Sequence, residues 1–156
     1  EPGEIFMIRN VANLVPPMEE GGKFHGTSAA LEYAVMALQV PNIVVLGHAH
    51  CGGIKAMIDG DRVTEEGFKY VPDWVSMLAA AHRRVLATMP DATEQEVQHA
   101  CERNAVLVSL ENLTTFPWIR ERIANKSLKL HGWYFDIETA QLEIYNPMSG
   151  RFEEVD

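Results

Sequence analysis

Apolar residues occur along the chain in two patterns: short unbroken runs, and longer stretches in which they recur every three or four positions. EIFMIRN (4–10) and NIVVLG (42–47) are short runs of the kind that predicts buried strands. Two more strands are predicted in LKLHGWYFDI (128–137) and QLEIYNP (141–147), with a short turn between them. Because a helical stretch separates the first two strands, we expect a parallel crossover. The pattern predicts an α/β fold in which helices flank a mostly parallel β-sheet.

The stretch TSAALEYAVMALQ (27–39) is predicted to be a helix. Thr27 or Ser28 can cap it, because a hydroxyl there can accept a bond from a free amide of the first turn. Apolar residues occupy one face and much of the other, and such a helix is usually covered on more than one side. The pattern leaves open whether its own core or a second subunit provides that cover.

Two longer helices are predicted in residues 72–89 and 91–115. The second opens with an approximate capping box, formed by Asp91 and by Glu94 three positions on. Pro117 ends this helix and starts another, since proline is tolerated in the first turn of a helix.

Length and composition indicate one domain, with predicted boundaries at residues 1 and 156. An apolar fraction of 47% with 22% charged residues is normal for a globular protein. The formal net charge of −9 argues against a nucleic acid or an anionic membrane as partner, because both require basic patches. No apolar stretch approaches the roughly 20 residues that span a bilayer.

The two cysteines, Cys51 and Cys101, do not make a disulfide framework. A reducing compartment is therefore expected, and the predicted location is cytoplasmic. The chain enters an apolar run soon after Glu1, which resembles a domain entered midway. A targeting sequence upstream would then escape notice.

The segment GHAHCGG (47–53) follows the second predicted strand and precedes a predicted helix start near Gly52. His48 and Cys51 are candidate metal ligands, because imidazole nitrogen and thiolate sulfur both bind zinc. Backbone amides at a helix start would also favour the thiolate form of Cys51. Two other interpretations stay open: a glycine-rich turn with an incidental histidine and a buried thiol, and a cysteine nucleophile paired with a histidine.

A third ligand is not evident, although a catalytic zinc usually has three protein ligands. Cys101 lies on the apolar side of its predicted helix, where we expect it to pack as a small apolar residue. His50 is expected to point away from His48, as a non-ligand or an outer group. The remaining histidines, His25, His82, His99 and His131, have no ligand-like spacing, and His82 and His99 are expected at the surface or its boundary.

Four separated stretches together resemble the β-class carbonic anhydrases: IFMIRNVANLVPP, GTSAALEYAVMALQVPNIVVLGHAHCGGIKAM, SLENLTTFPWI and LHGWYFDIETAQLEIY. The similarity runs from about residue 4 to about residue 145, in the same order and with compatible spacing. The resemblance implies the reversible hydration of carbon dioxide to bicarbonate and a proton. It also implies the fold of that family.

The family holds zinc with two cysteines and one histidine, and His48 and Cys51 match the histidine and the second cysteine. The other cysteine belongs to an upstream cysteine-x-aspartate-serine-arginine segment, whose aspartate and arginine orient the zinc-bound water. That segment has no counterpart here, so no catalytic residue is assigned and the chain is expected to be N-terminally incomplete. With two protein ligands, the chain itself is expected to have little or no hydratase activity.

Other positions carry over from the resemblance one by one. Phe6, Val11 and Tyr33 match the apolar carbon dioxide pocket, which the family shares across a dimer interface. Gly52 matches the glycine whose backbone amide helps to bind substrate. Core packing is the alternative for the three larger side chains. The resemblance favours a homodimer or homotetramer.

Two other functions remain compatible with this sequence. One is a hydrolase of carbon disulfide or carbonyl sulfide on the same scaffold, in which the shape of the tunnel selects the substrate. The other is a catalytically silent member that serves as a structural or bicarbonate-sensing module.

Overall fold

The computed structural model describes residues 3–21, 23, 25–60, 63 and 65–155. The ends of the predicted domain, Glu1 and Asp156, lie outside these residues. Among the residues described, no helix combines the length and the apolarity needed to cross a membrane.

The helices are α1 (Gly26–Glu32), α2 (Gly52–Asp59), α3 (Val71–Val75), α4 (Ala79–Thr88), α5 (Glu94–Leu113) and α6 (Pro117–Ala124). A π-helix (Tyr33–Ala37) continues α1, and 3₁₀ turns lie at Val11–Asn13 and Ser76–Leu78. The strands are β1 (Asn42–His48), β2 (Lys129–Asp136), β3 (Gln141–Asn146) and β4 (Arg151–Glu154).

The four strands form one sheet in the order β1-β2-β3-β4. β1 and β2 are parallel, with Asn42 opposite Lys129 and His48 opposite Phe135, whereas the other two pairings are antiparallel. The predicted α/β class is confirmed. The sheet that was expected to be mostly parallel is mixed over the described strands, because the hairpins after β2 add antiparallel pairs. β4 is absent from the predicted strands, since RFEE contains a single apolar side chain.

The segment 4–10 is not the strand that its apolar run predicts. Residues 5–10 belong to no helix or strand, and Ile5 and Met7 are 77% and 69% exposed. A strand needs a neighbour for its backbone hydrogen bonds, and among the described strands β1 pairs with β2 alone. An apolar run predicts a tendency to be buried but does not supply the partner that buries it.

α1 begins at Gly26, with His25 in the N-cap position. The His25 side chain makes no capping bond, and its Nε2 lies 2.9 Å from the Gly21 carbonyl oxygen. The predicted caps, Thr27 and Ser28, lie inside the first turn, so that prediction is wrong.

One face of α1 and its π-helical continuation is buried. Leu31 and Val35 pack in the core, whereas Tyr33 and Met36 are 56% and 57% exposed. The described residues therefore leave the outer apolar face of this segment uncovered.

α5 begins with a capping box in a different register from the predicted one. Thr93 is the N-cap, and its Oγ1 accepts a bond from the Glu96 amide at 3.3 Å. Glu96 Oε2 accepts from the Thr93 amide and hydroxyl, each at 2.8 Å, and these bonds hold the pKa of Glu96 below its usual value. The Asp91–Glu94 box is therefore wrong, although both pairs have the spacing that the motif requires.

The helix predicted over residues 72–89 is divided into α3, a 3₁₀ turn and α4. α6 begins at Pro117 as predicted, with the proline in its first turn. α2, α4 and the two 3₁₀ turns pack against α5, which also contacts both β1 and β2.

Two glycines allow α5 to approach the parallel strand pair closely. A Cβ atom at Gly47 would lie 2.8 Å from Val106 Cγ2, and one at Gly132 would lie 2.9 Å from Val106 Cγ1. Both distances are shorter than carbon atoms tolerate, so this packing requires glycine on both strands. The fully buried Val106 side chain occupies the space that they leave.

Candidate metal centre

The turn that contains both candidate ligands connects β1 to α2. His48 is the last residue of β1, and the Ala49 amide extends the pairing by donating to a carbonyl at the end of β2 at 2.9 Å. Cys51 is the N-cap of α2, with an extended backbone (φ −67°, ψ 115°). Its carbonyl accepts the first helical bond, from the Lys55 amide at 3.0 Å. The carboxyl end of a parallel strand is where ligands gather in open α/β sheets.

His48 has one ring nitrogen engaged by the protein. Its Nδ1 lies 2.8 Å from the Ala49 carbonyl oxygen, which can only accept, so Nδ1 carries the proton and donates. In the neutral ring Nε2 then has the lone pair, and this tautomer is the form that binds a metal. The His48 residue is exposed, so the ring is open to an approaching ion.

The two cysteines are both free and buried, and they belong to the same apolar core cluster. Cys101 is 1% exposed and packs in a core cluster with Val97 and Ala105. Burial, and after it the charge of Glu102, raises the pKa of the Cys101 thiol to about 11. Because thiolate is the form that binds metals, these surroundings favour packing of Cys101 over ligation. The prediction that it packs as a small apolar residue is confirmed.

His48 and Cys51 supply an imidazole nitrogen and a thiol sulfur, the donor types that zinc prefers. The chemical types of these two side chains therefore suit a zinc ion. Over the part of the chain that the structure describes, no group of three or more His, Cys, Asp or Glu side chains could hold a metal ion. A third protein ligand is thus not found among these residues.

His50 occupies the middle of the turn in a left-handed conformation (φ 55°). Its Nε2 lies 3.2 Å from Glu138 Oε1, and its ring meets the His99 ring edge to face, with 5.3 Å between centroids. These contacts engage His50 with groups other than His48 and Cys51. Its role as a non-ligand or outer group stays a prediction.

Glu102 is a neighbour of the turn that sequence reasoning missed. This α5 residue is 1% exposed, yet donors surround its carboxylate. Oε1 accepts from the Cys51 amide at 2.8 Å and from Gln98 Nε2 at 3.0 Å, and Oε2 accepts from the Tyr134 hydroxyl at 2.8 Å. Its position beside Cys101, on the apolar side of α5, was the available signal, because a charged residue there needs partners.

Tyr134 connects this carboxylate to the sheet and to two further side chains. His99 Nδ1 lies 2.8 Å from the Tyr134 hydroxyl, and the Arg103 guanidinium carbon lies 4.1 Å from the centre of the ring. Burial, and after it the bond to Glu102, raises the pKa of Tyr134, so the phenol stays protonated and donates. His99 is partly exposed, in agreement with the predicted boundary position.

The residues predicted to bind substrate lie in two places. The Phe6 and Tyr33 rings are 6.0 Å apart between centroids, and both residues are exposed, so ordinary core packing is not what they do here. Val11 lies against the start of α2: a Cβ atom at Gly53 would be 2.6 Å from Val11 Cγ1. Apart from its chain neighbours and the backbone of its own helix, no described atom lies within 4 Å of a Cβ built at Gly52, so the space beside that residue is open.

Comparisons with known proteins agree with the fold. The family model described as carbonic anhydrase matches residues 1–142. A protein of Arabidopsis thaliana named β carbonic anhydrase 6, mitochondrial, is 39% identical over 143 residues, which cover 92% of this chain and 49% of that protein. The chain therefore spans about half the length of this curated relative.

Solved structures give the same result. The β-carbonic anhydrase CcaA superposes with a TM-score of 0.90 at 33% identity, covering 99% of this chain and 74% of that one. One of two tetrameric β-carbonic anhydrases from Sordaria macrospora superposes with a TM-score of 0.77 at 30% identity, covering 99% and 70%. The fold and the matched sequence are those of a carbonic anhydrase. The chain belongs to the β-class carbonic anhydrase family.

Proposed function

We propose that the complete protein catalyses the reversible hydration of carbon dioxide to bicarbonate and a proton, with zinc bound by His48 and Cys51. The observation that carries this proposal is the state of the His48 ring. Its Nδ1 is bonded to the Ala49 carbonyl, so in the neutral ring the lone pair is on Nε2, three residues before the N-cap of α2. The third ligand is proposed to be a cysteine from an upstream segment, as the family resemblance implies.

The residues of the turn would prepare the two ligands for the ion. The Nδ1–H bond to Ala49 selects the tautomer of His48 and fixes the plane of its ring. The free amides of the first turn of α2 favour negative charge at the N-cap residue, Cys51. Zinc, when bound, activates water for attack at neutral pH.

Carbon dioxide carries no net charge, so an apolar wall can hold it without competing for the metal. We assign this wall to Phe6, Val11 and Tyr33. Val11 is the member that contacts the start of α2, where Gly52 lies next to open space. The Gly52 amide belongs to the first turn of α2, whose amides lack intrahelical partners, and it could donate to a substrate oxygen.

The protein is also proposed to be a homo-oligomer. Tyr33, Met36 and Leu38 expose apolar surface on the segment that follows α1, and Phe6 extends it. Burial of such surface against a second copy is favourable. The Sordaria macrospora relatives are described as tetrameric. A cytoplasmic location stays a prediction, and the Arabidopsis relative is named as mitochondrial.

A catalytically silent member is the second candidate function. Its support is the ligand count, because the described residues provide no group of three metal-binding side chains. Under this alternative, the full-length protein would lack the upstream cysteine and would keep the turn as a structural or bicarbonate-sensing element.

Stopped-flow measurement of carbon dioxide hydration tests the proposal on the zinc-loaded chain 1–156 and on the full-length protein. We expect turnover from the full-length protein and little or none from the chain alone. In the full-length protein, Cys51→Ser should abolish turnover, and Cys101→Ala should retain it. Comparable turnover from both proteins would show that the ligands are wrongly assigned. An inactive full-length protein would support the silent member, and a parallel carbon disulfide assay would identify the third alternative.

A further inference from the structure

We propose that Glu102 is a positioning residue for Cys51: its carboxylate holds the backbone of the turn in the conformation that presents the Cys51 thiolate to a metal ion. This inference rests on the proposed zinc site. Its origin is the 2.8 Å bond from the Cys51 amide to Glu102 Oε1, which joins a fully buried acid to the residue that carries the sulfur.

The bond restrains the peptide that joins His50 to Cys51, and His50 itself has an unusual backbone conformation. His50 has a positive φ of 55°, a conformation that residues with a Cβ rarely adopt. The next peptide carries the Cys51 amide, which as the N-cap amide is not used by the helix and is held by Glu102. Fixing this peptide fixes the direction of the Cα–Cβ bond of Cys51, and therefore the range of positions open to its sulfur.

The chemistry of the network favours a carboxylate. The Cys51 amide, Gln98 Nε2 and the Tyr134 hydroxyl all donate to it, and an ionised carboxylate has no donor of its own. An amide at position 102 keeps one accepting oxygen and directs an NH₂ group at the remaining donor, which fits only if the Tyr134 hydroxyl turns to accept. It also removes a negative charge that is one hydrogen bond away from the Cys51 backbone.

Glu143 provides a matched control. This carboxylate on β3 accepts two bonds from Arg103, at 2.8 and 2.6 Å, and Arg103 in turn lies over the Tyr134 ring. Glu143→Gln therefore removes a partly buried charge from the same region without touching the bond to Cys51. A general loss of charge or packing would affect both variants.

The test compares Glu102→Gln, Glu143→Gln and the unchanged full-length protein, with Co²⁺ as the probe. Affinity is measured by competition with a chelator, and thiolate coordination by the sulfur-to-cobalt charge-transfer absorbance. We expect Glu102→Gln to lose about 10- to 100-fold in affinity and to alter the absorbance band, as outer-shell changes do at metal sites. The Co²⁺ affinity of Glu143→Gln should stay within about threefold of that of the unchanged protein, because the Glu143 charge lies outside the groups that contact a metal ligand.

Melting temperatures with and without Co²⁺ separate positioning from simple stability. A residue that only stabilises the fold lowers both temperatures and leaves the metal-induced rise unchanged, and this result in Glu102→Gln would overturn the inference. A smaller rise in Glu102→Gln than in Glu143→Gln would support it. If the unchanged protein binds no Co²⁺, the proposed zinc site fails and the inference fails with it. If the unchanged protein and Glu102→Gln bind Co²⁺ with equal affinity, the inference about Glu102 is overturned and the proposed zinc site is not.

Tyr134→Phe keeps the test decisive if Glu102→Gln does not fold. It retains the ring under Arg103 and removes one donor to Glu102 Oε2. We expect a loss of about fivefold in Co²⁺ affinity, because the hydroxyl acts on Cys51 only through the Glu102 carboxylate. Unchanged affinity in a folded Tyr134→Phe protein would contradict the inference.

Discussion

Two regions of this chain have similar apolar sequences and different structures. NIVVLG lies within a seven-residue strand, β1, which pairs along its length with β2 and packs against α5. EIFMIRN lies in irregular backbone with Ile5 and Met7 largely exposed. The difference is the partner, because β2 is present in the chain for one run and no described strand lies beside the other. Apolar pattern predicts what a segment tends to bury, and a second surface decides whether burial occurs.

The same contrast divides the candidate site. The turn that carries His48 and Cys51 is restrained by β1, by α2 and by the Glu102 carboxylate. The residues proposed to form the substrate wall depend on the less restrained region, where Phe6 and Tyr33 meet at the surface. Metal binding and substrate binding should therefore respond to different substitutions.

The largest effect is expected from His48→Ala in the full-length protein. Removing a ligand should weaken zinc binding by more than about 100-fold, beyond the 10- to 100-fold loss typical of outer-shell partners. Chelator competition measures it. Met7→Ala, in the exposed segment, should leave zinc affinity unchanged. If His48→Ala binds zinc as tightly as the unchanged protein, the metal binds elsewhere, and the proposed difference between the two regions is wrong.

Gly53→Ala tests the contact between the regions. Its Cβ would lie 2.6 Å from Val11 Cγ1 and 3.2 Å from the Ala12 amide nitrogen, so the 3₁₀ turn would have to move. We expect destabilisation of about 1–2 kcal/mol, the scale of overpacking, measured by urea denaturation. Gly52→Ala is the control, since its Cβ meets no described atom within 4 Å and should change stability by less than about 1 kcal/mol. An equal change in the free energy of unfolding in the two variants would mean that the 3₁₀ turn moves aside without cost.

A smaller effect is expected at the start of α5, the helix that backs the metal-binding turn. Thr93→Ala removes the hydroxyl that accepts from the Glu96 amide and should cost about 1 kcal/mol in the free energy of unfolding. Ser28→Ala, at a predicted cap that the structure places inside α1, should change it by less than about 0.5 kcal/mol. Chemical denaturation of both variants checks the assignment, which a larger loss in Ser28→Ala would contradict.

The smallest effect is a pH dependence at the same cap. Bonds from Thr93 lower the pKa of Glu96 in the folded protein, so its contribution to stability is present above the unfolded pKa and is lost as pH falls through the folded value. The stability difference between the unchanged protein and Glu96→Gln should therefore narrow between neutral pH and about pH 3. Denaturation at several pH values measures this, with Glu94→Gln as the control for one charge in the same turn. A difference that widens on acidification would be inconsistent with the capping bonds.

Much of the fold followed from local pattern, and the errors have physical causes. β1, β2, β3, α2 and α6 were predicted because their apolar runs, glycines and proline act within a few residues. The capping register was missed because Asp91–Glu94 and Thr93–Glu96 both have the required spacing, and backbone geometry chooses between them. β4 has too few apolar residues to show a pattern, and it exists through pairing with β3.

The candidate site divides in the same way. His48 and Cys51 were found because both lie in one short segment between a strand and a helix. Glu102 was missed because its contact with Cys51 joins residues that are 51 positions apart. A single sequence does not show that an acid on one helix will accept a bond from the amide of a distant turn.

The space shared by Gly47, Gly132 and Val106 has an evolutionary consequence. This buried valine limits residue size on two strands at once, and Leu110 limits it equally closely at Gly132. Enlarging Gly47 should therefore be tolerated only with a smaller residue at position 106, and enlarging Gly132 only with smaller residues at both 106 and 110. These four positions are then expected to change together, and a combinatorial library in which they vary independently would refute that expectation.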